Sequence, residues 1–207
     1  MYIILIAGFL GSGKTTFIRQ LAQYLVNQHG KAVIIENEAG EVGIDDQFLA
    51  REGFQVKEVM GGCICCSLTA DLTLAVNSIE AEFHPDWLVI ETTGLAKPAK
   101  VIGTLTSYGQ GIDRIYTVII VDAGRWPELM EIMPQLISAQ VSEADLVVVN
   151  KIDEIGPDGD LARVLAEIGE INGRAQVIPL AAAMQIEETI FRGLCLNARG
   201  GSEDSPA

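Results

Sequence analysis

An α/β domain, with a mostly parallel central sheet and helices on both faces, is the fold this chain predicts. Three observations carry that expectation. Short β-rich apolar runs alternate with segments of helical period. Several of those runs are apolar throughout, as strands buried on both faces of a parallel sheet require. A glycine-rich loop joins the first run to the first helix.

Strands are expected at Tyr2–Ala7, Ala32–Glu36, Phe54–Val59, Trp87–Glu91, Arg114–Asp122, Leu146–Asn150 and Gln176–Pro179. A first helix is expected over Thr16–Val26. Leu68, Leu72, Val76, Ile79 and Phe83 mark one face of a second, with Ser67 as its N-cap. Leu161, Val164, Leu165, Ile168 and Ile171 do the same further on. The 207 residues suit one good-sized domain with a full core, assigned here to Met1–Ala198. The tail Arg199–Ala207, rich in Gly, Ser and acids, reads as disordered.

A net charge of −14 argues against nucleic acid as a partner, since neutralising a phosphate backbone needs clustered Lys and Arg. Any phosphate ligand must be held by a local device. The apolar start Tyr2–Ala7 lacks a basic flank and is too short to be a signal peptide or a span. No other run approaches the roughly 20 apolar residues that a membrane helix needs. A soluble, cytoplasmic protein is the expectation, and there cysteines stay reduced.

The local device follows the first strand. Gly8-Phe9-Leu10-Gly11-Ser12-Gly13-Lys14-Thr15 matches G-x-x-x-x-G-K-[ST] in full, between an apolar strand and a helical pattern. Its glycines let backbone N–H groups turn inward around a phosphate, and the helix N-terminus adds its positive dipole end. The phosphates are therefore assigned to Gly8, Gly11, Ser12, Gly13, Lys14, Thr15 and Thr16. Lys14 is expected to bridge the β- and γ-phosphate oxygens, and the Thr15 hydroxyl to ligate Mg²⁺. The domain is thus expected to be a P-loop NTPase.

Asn150-Lys151-Ile152-Asp153 stands at the carboxyl end of an expected strand, where α/β sheets bind ligands. The Asp153 carboxylate matches the N1–H and exocyclic amine of guanine, whereas adenine has no such donor pair and would leave it unpaired. Following a phosphate loop, the motif favours GTP over ATP; alone, it is also an ordinary strand end. Glu91-Thr92-Thr93-Gly94 closes the Trp87–Glu91 strand. Glu91 can act on the Mg²⁺ shell through water, and the Gly94 N–H can meet a γ-phosphate oxygen. The alternative is a plain Thr/Gly turn. No arginine finger is evident in cis, so slow intrinsic hydrolysis is expected.

Three of the four cysteines fall within four residues, in Gly61-Gly62-Cys63-Ile64-Cys65-Cys66. Next to a helix N-terminus thiolate is favoured over thiol, and thiolate is the form that ligates metal. Three thiolates would leave one position of a tetrahedral Zn²⁺ open to a carboxylate, water or client ligand. Carboxylates are plentiful in Glu36-Asn37-Glu38-Ala39-Gly40-Glu41 and at Asp45 and Asp46. A redox pair, inert buried thiols and a solvated acidic loop are the alternatives. His29 and His84 read as isolated surface residues, and Cys195 as a small core residue.

Taken in order, the phosphate loop, ENEAGEVGIDD, GGCICC, ETTGLAKP, Val121-Asp122-Ala123 and NKID resemble the CobW-type P-loop GTPases over roughly Ile3 to Met184. The resemblance implies a Mg²⁺-GTP-dependent metallochaperone that delivers Zn²⁺ or Co²⁺ to a client metalloprotein. It implies that Asn150, Lys151 and Asp153 take the base, and that Cys63, Cys65 and Cys66 form the metal motif with Glu36 and Glu41 close by. GTP-dependent homodimers are common among similar proteins. Ala39 stands where the family usually has phenylalanine, and the chain stops where members continue into a smaller second domain. The remaining alternatives are a GTPase activator of a cofactor-dependent enzyme such as a corrinoid protein, a non-enzymatic metal- or redox-sensing switch, and a P-loop kinase.

Overall fold

Alternating apolar side chains on consecutive strands give this fold two separate cores, one on each side of a single sheet. The computed structural model describes residues 1–28, 30–36, 55–58, 68–155 and 160–201. The strands are β1 (Tyr2–Ala7), β2 (Ala32–Glu36), β3 (Gln55–Glu58), β4 (Trp87–Glu91), β5 (Arg114–Asp122), β6 (Leu146–Asn150) and β7 (Gln176–Pro179). They form one sheet in the order β3-β2-β4-β1-β5-β6-β7, and every pairing is parallel. Expected and observed bounds agree for six strands; of the seventh, Gln55–Glu58 is strand, and Phe54 and Val59 lie outside the described residues. The expectation of a mostly parallel sheet is met by one that is parallel throughout the described residues.

The helices are α1 (Lys14–Asn27), α2 (Leu68–Phe83), α3 (Pro98–Tyr108), α4 (Trp126–Ile132), α5 (Pro134–Val141), α6 (Leu161–Ile171) and α7 (Glu188–Ala198), with a short 3-10 turn at Ile152–Glu154. On one face α1 contributes Phe17, Ile18 and Leu21, and α7 contributes Phe191 and Leu194. They cover Ile4 and Ile6 of β1 and Val118 and Ile120 of β5. On the other face the intervening residues Ile3, Leu5 and Ala7 meet α2 to α6. Successive strand residues point to opposite faces, so six apolar positions in a row serve two cores at once.

Helices α3, α4 and α5 each carry proline at the first or second position, where the missing N–H is no loss. Prolines so close together obscure helical period in the sequence, and these elements were not individually expected. The expected disordered tail is corrected at its start. Arg199 lies over the Trp87 ring, 4.9 Å from its centroid, and the Gly200 and Gly201 amides bond the carbonyls of Asn197 and Leu196 at 2.9 and 3.0 Å. Arg199–Gly201 therefore cap α7 and belong to the packed domain; residues 202–207 lie outside the described residues.

Asn172 shows how the far face is pinned. It is 6% exposed, and its amide nitrogen donates to Val141 O at 2.9 Å and Ala144 O at 3.0 Å, closing the C-terminal end of α5. Its oxygen accepts the Arg174 and Ala175 amides, both at 3.2 Å. Asn172→Ala leaves these buried groups without partners, and a destabilisation of about 2–3 kcal/mol in urea unfolding is expected, with the m-value unchanged.

Candidate nucleotide and metal site

The strand order reverses around β1, since β2 lies to one side of it and β5 to the other. A crevice at the carboxyl ends of the strands results there, which is where open α/β sheets hold ligands. The loop Gly8–Gly13 fills this position. Gly8 has φ +143°, and a Cβ on it would run into the Ile120 carbonyl of β5. Gly13 has φ +98°, and a Cβ there would collide with the Asn150 amide. Both positions require glycine, on conformation and on space together.

Asn150 is 2% exposed, and the reason lies in its bonds. Its Nδ2 donates to Ser12 O at 2.7 Å and its Oδ1 accepts the Ala182 amide at 2.7 Å. The first residue of the N-K-x-D motif thereby clamps the phosphate loop to the segment after β7. The amide keeps one further N–H for a base. Gln20 of α1 fastens the same segment, donating to Ala182 O at 2.7 Å and Met184 O at 2.9 Å and accepting the Ile186 amide at 2.8 Å. Lys151 has a left-handed φ of +61° and pairs with Asp122 at 2.9 Å. Asp153 is exposed on the adjoining 3-10 turn, on the same edge as the phosphate loop.

At the foot of the loop Lys14 and Glu91 are both buried, 4% and 1% exposed, with Nζ 3.9 Å from Oε1. The Thr15 hydroxyl stands 3.4 Å from the same carboxylate oxygen. Cation, carboxylate and hydroxyl thus converge at spacings longer than tight hydrogen bonds. That donor set suits a hydrated Mg²⁺ beside a phosphate. The buried Ser12 Oγ has no hydrogen-bond partner among the described residues, so a polar donor waits inside the loop for an acceptor. Thr16 is exposed on the first turn of α1. Gly94 packs directly on the loop: a Cβ on it would lie 2.7 Å from the Leu10 nitrogen.

Two neighbours of the site carried no motif in the sequence. Arg125 follows β5, where Asp122 Oδ1 accepts the Gly124 and Arg125 amides at 3.1 and 3.2 Å. That turn lays the guanidinium against the phosphate loop, donating to Leu10 O at 3.2 Å and lying over the Phe9 ring. Gln140 of α5 donates to Gly94 O and Ala96 O. A single Arg or Gln in a helix-forming run has no spacing that would single it out.

Glu36 is buried at the carboxyl end of β2, paired in register with Glu58. Cys63, Cys65, Cys66 and Glu41 lie outside the described residues, as do His29 and Ser67. Among the described residues there is no group of three His, Cys, Asp or Glu able to hold a metal, and no helix is long and apolar enough to cross a membrane. His84 is an exposed helix-end residue with φ +43°.

A strand–loop–helix phosphate cradle at the switch point of a parallel sheet defines a P-loop nucleotide-binding domain. Residues 2–179 match the model of the CobW/HypB/UreG nucleotide-binding domain, and the chain belongs to that family. It is 38% identical to the zinc chaperone YjiA of Escherichia coli K12, covering 96% of this chain and 61% of that protein. It is 34% identical to the zinc chaperone YeiR of the same organism, covering 92% and 65%. It therefore spans less than two thirds of the length of these curated relatives. In fold it is similar to the hydrogenase maturation factor HypB from Archaeoglobus fulgidus, with a TM-score of 0.70 and 21% identity over 96% of this chain and 90% of that one.

Burial pushes the Cys195 thiol up to about 12, with Arg199 pulling weakly the other way. At pH 8 its thiolate fraction is on the order of 10⁻⁴, and thiolate is the reactive form. Brief iodoacetamide treatment at pH 8 followed by peptide mass spectrometry is expected to leave Cys195 unmodified in the folded chain and to label it in urea. A second expectation concerns the clamp. Asn150→Asp replaces the donor to Ser12 O with an acceptor, and calorimetry is expected to show GDP binding at least about tenfold weaker.

Proposed function

We propose that this chain binds Mg²⁺-GTP, hydrolyses it slowly, and couples the nucleotide state to loading and release of a transition metal for a client metalloprotein. The observation that carries the nucleotide half is the buried meeting of Lys14, Glu91 and Thr15 beneath a loop that Asn150 holds open. In this reading Lys14, the amides of Gly11 and Gly13 and the unpartnered Ser12 hydroxyl take the phosphates, with Gly8 shaping the turn. Mg²⁺, when bound, supplies charge neutralisation across the β- and γ-phosphates. Thr15 and Glu91 would hold it, and the Gly94 amide would meet the γ-phosphate. Asp153 reads guanine, Lys151 flanks the base, and the second N–H of Asn150 would be its donor to the base.

The metal half is supported by the zinc-chaperone names of relatives that share this domain and by the chemistry of three thiols within four residues. Zn²⁺ or Co²⁺ is the cargo, held by Cys63, Cys65 and Cys66 with Glu36 and Glu41. Glu36 supports the coupling because it ends β2 beside β4, the strand that carries Glu91 into the phosphate site. Binding of metal and of GTP would then favour the same arrangement, and such coupling is reciprocal.

The direct test titrates Zn²⁺ or Co²⁺ into the chain loaded with GDP or with a non-hydrolysable GTP analogue. Affinity is expected to be about 5- to 150-fold higher in the analogue-bound state, and Cys65→Ser is expected to remove most of the binding in both. Equal affinities in the two nucleotide states would contradict the coupling.

A further inference from the structure

We propose that Gln140 is a positioning residue for GTP hydrolysis, holding the γ-phosphate-sensing turn against the phosphate loop. The inference rests on the reading of Gly94 given above. The turn Thr93–Ala96 is closed by the Ala96 amide on Thr93 O at 3.0 Å. It is anchored at its start by Thr92, whose amide and hydroxyl both reach Ile6 O of β1, at 3.0 and 3.4 Å. From its far side the side chain of Gln140 reaches in. Gln140 Nε2 donates to Gly94 O at 3.2 Å and to Ala96 O at 2.9 Å, so both amide hydrogens serve this one turn.

The support behind Gln140 is rigid. The residue is 1% exposed, and its neighbours Ile137 and Val141, 3% and 0% exposed, lie in the core formed with β5 and β6. Asn172 fixes the end of the same helix. Gly94 is thus gripped between Leu10 on one side and a buried amide on the other. A Cβ at position 94 would fall 2.7 Å from the Leu10 nitrogen, so the fit leaves no slack. Gln140 fixes the peptide after Gly94 through the Gly94 carbonyl, and the Ala96 amide on Thr93 O fixes the peptide before it, which carries the Gly94 N–H, so the two together set the direction of that amide. A misplacement of about 1 Å in a reacting arrangement costs on the order of a hundredfold in rate. The amide of Gln140 is therefore worth more to turnover than to stability. It also connects the turn to α5.

The experiment compares Gln140→Met, which keeps length and helix propensity but removes both donors, with Gln140→Asn, which withdraws the amide by one methylene. Gly94→Ala is run beside them in single-turnover GTPase assays, with GDP and a non-hydrolysable GTP analogue titrated in parallel. The expected result is a kcat about tenfold lower for both Gln140 variants and a several-fold loss of preference for the analogue over GDP. GDP affinity stays close to that of the parent chain, because GDP has no γ-phosphate to meet the turn, while the loss of two hydrogen bonds lowers the melting temperature by only a few degrees. An unchanged kcat in Gln140→Met with a low kcat in Gly94→Ala overturns the role of Gln140 alone. An unchanged kcat in all three variants overturns the reading of Gly94 as well. A parallel fall in GDP affinity and melting temperature, or a failure of the Gln140 variants to fold, assigns Gln140 a structural role and overturns the proposal.

Discussion

One hydrogen bond ties the nucleotide site together: Asn150 Nδ2 on the Ser12 carbonyl, 2.7 Å long and closed to solvent. A phosphate loop presents its amides inward only if its carbonyls are satisfied elsewhere, and buried polar groups must find partners. Asn150 meets the Ser12 carbonyl, Arg125 the Leu10 carbonyl, and the Ser12 amide closes on Phe9 O at 3.2 Å. Because Asn150 presses so close, residue 13 must be glycine, and because Ile120 O does the same at residue 8, so must that one. The loop is therefore shaped by two neighbouring strands as much as by its own sequence. The same asparagine then holds Ala182, so the phosphate and base ends of the crevice share one anchor.

This arrangement places the switching elements around a fixed centre. β1, β4 and β5 are adjacent in the sheet and end together, bringing the phosphate loop, Glu91–Gly94 and Asp122–Arg125 to one edge. β2 lies beyond β4 and delivers Glu36 to the same end. The turn after β4 thus lies between Glu36 at the end of β2 and the Gln140 side chain of α5.

Strands β1, β2, β4, β5 and β6 were legible in the sequence because each is a short, largely apolar run, and burial on both faces removes any competing pattern. The phosphate loop was legible because Gly, Lys and Thr have little freedom in that role. Helices α3 to α5 were hidden by the prolines that start them, and α7 by its short span with Gly193 at the centre, although Phe191, Leu194 and Ala198 share one buried face. Gln20, Arg125 and Gln140 act through backbone carbonyls that are distant in sequence, and no local pattern encodes such a contact. Asn150 was read as a base contact, and its bonds to Ser12 and Ala182 are visible only once three loops meet. Arg199 opens a stretch whose composition reads as disordered, and its stacking on Trp87 depends on how α7 crosses β1 and β4.

The central claim is that a guanine nucleotide, and no other, completes this crevice, with Asp153 exposed on the edge beside a loop that Asn150 has already shaped. Competitive calorimetry with GDP and ADP under identical Mg²⁺ tests it most directly. A carboxylate matched to two guanine donors and mismatched to adenine should favour GDP by at least about a hundredfold, with most of that preference lost in Asp153→Ala. Equal affinities for GDP and ADP, or a preference that survives Asp153→Ala, would contradict it.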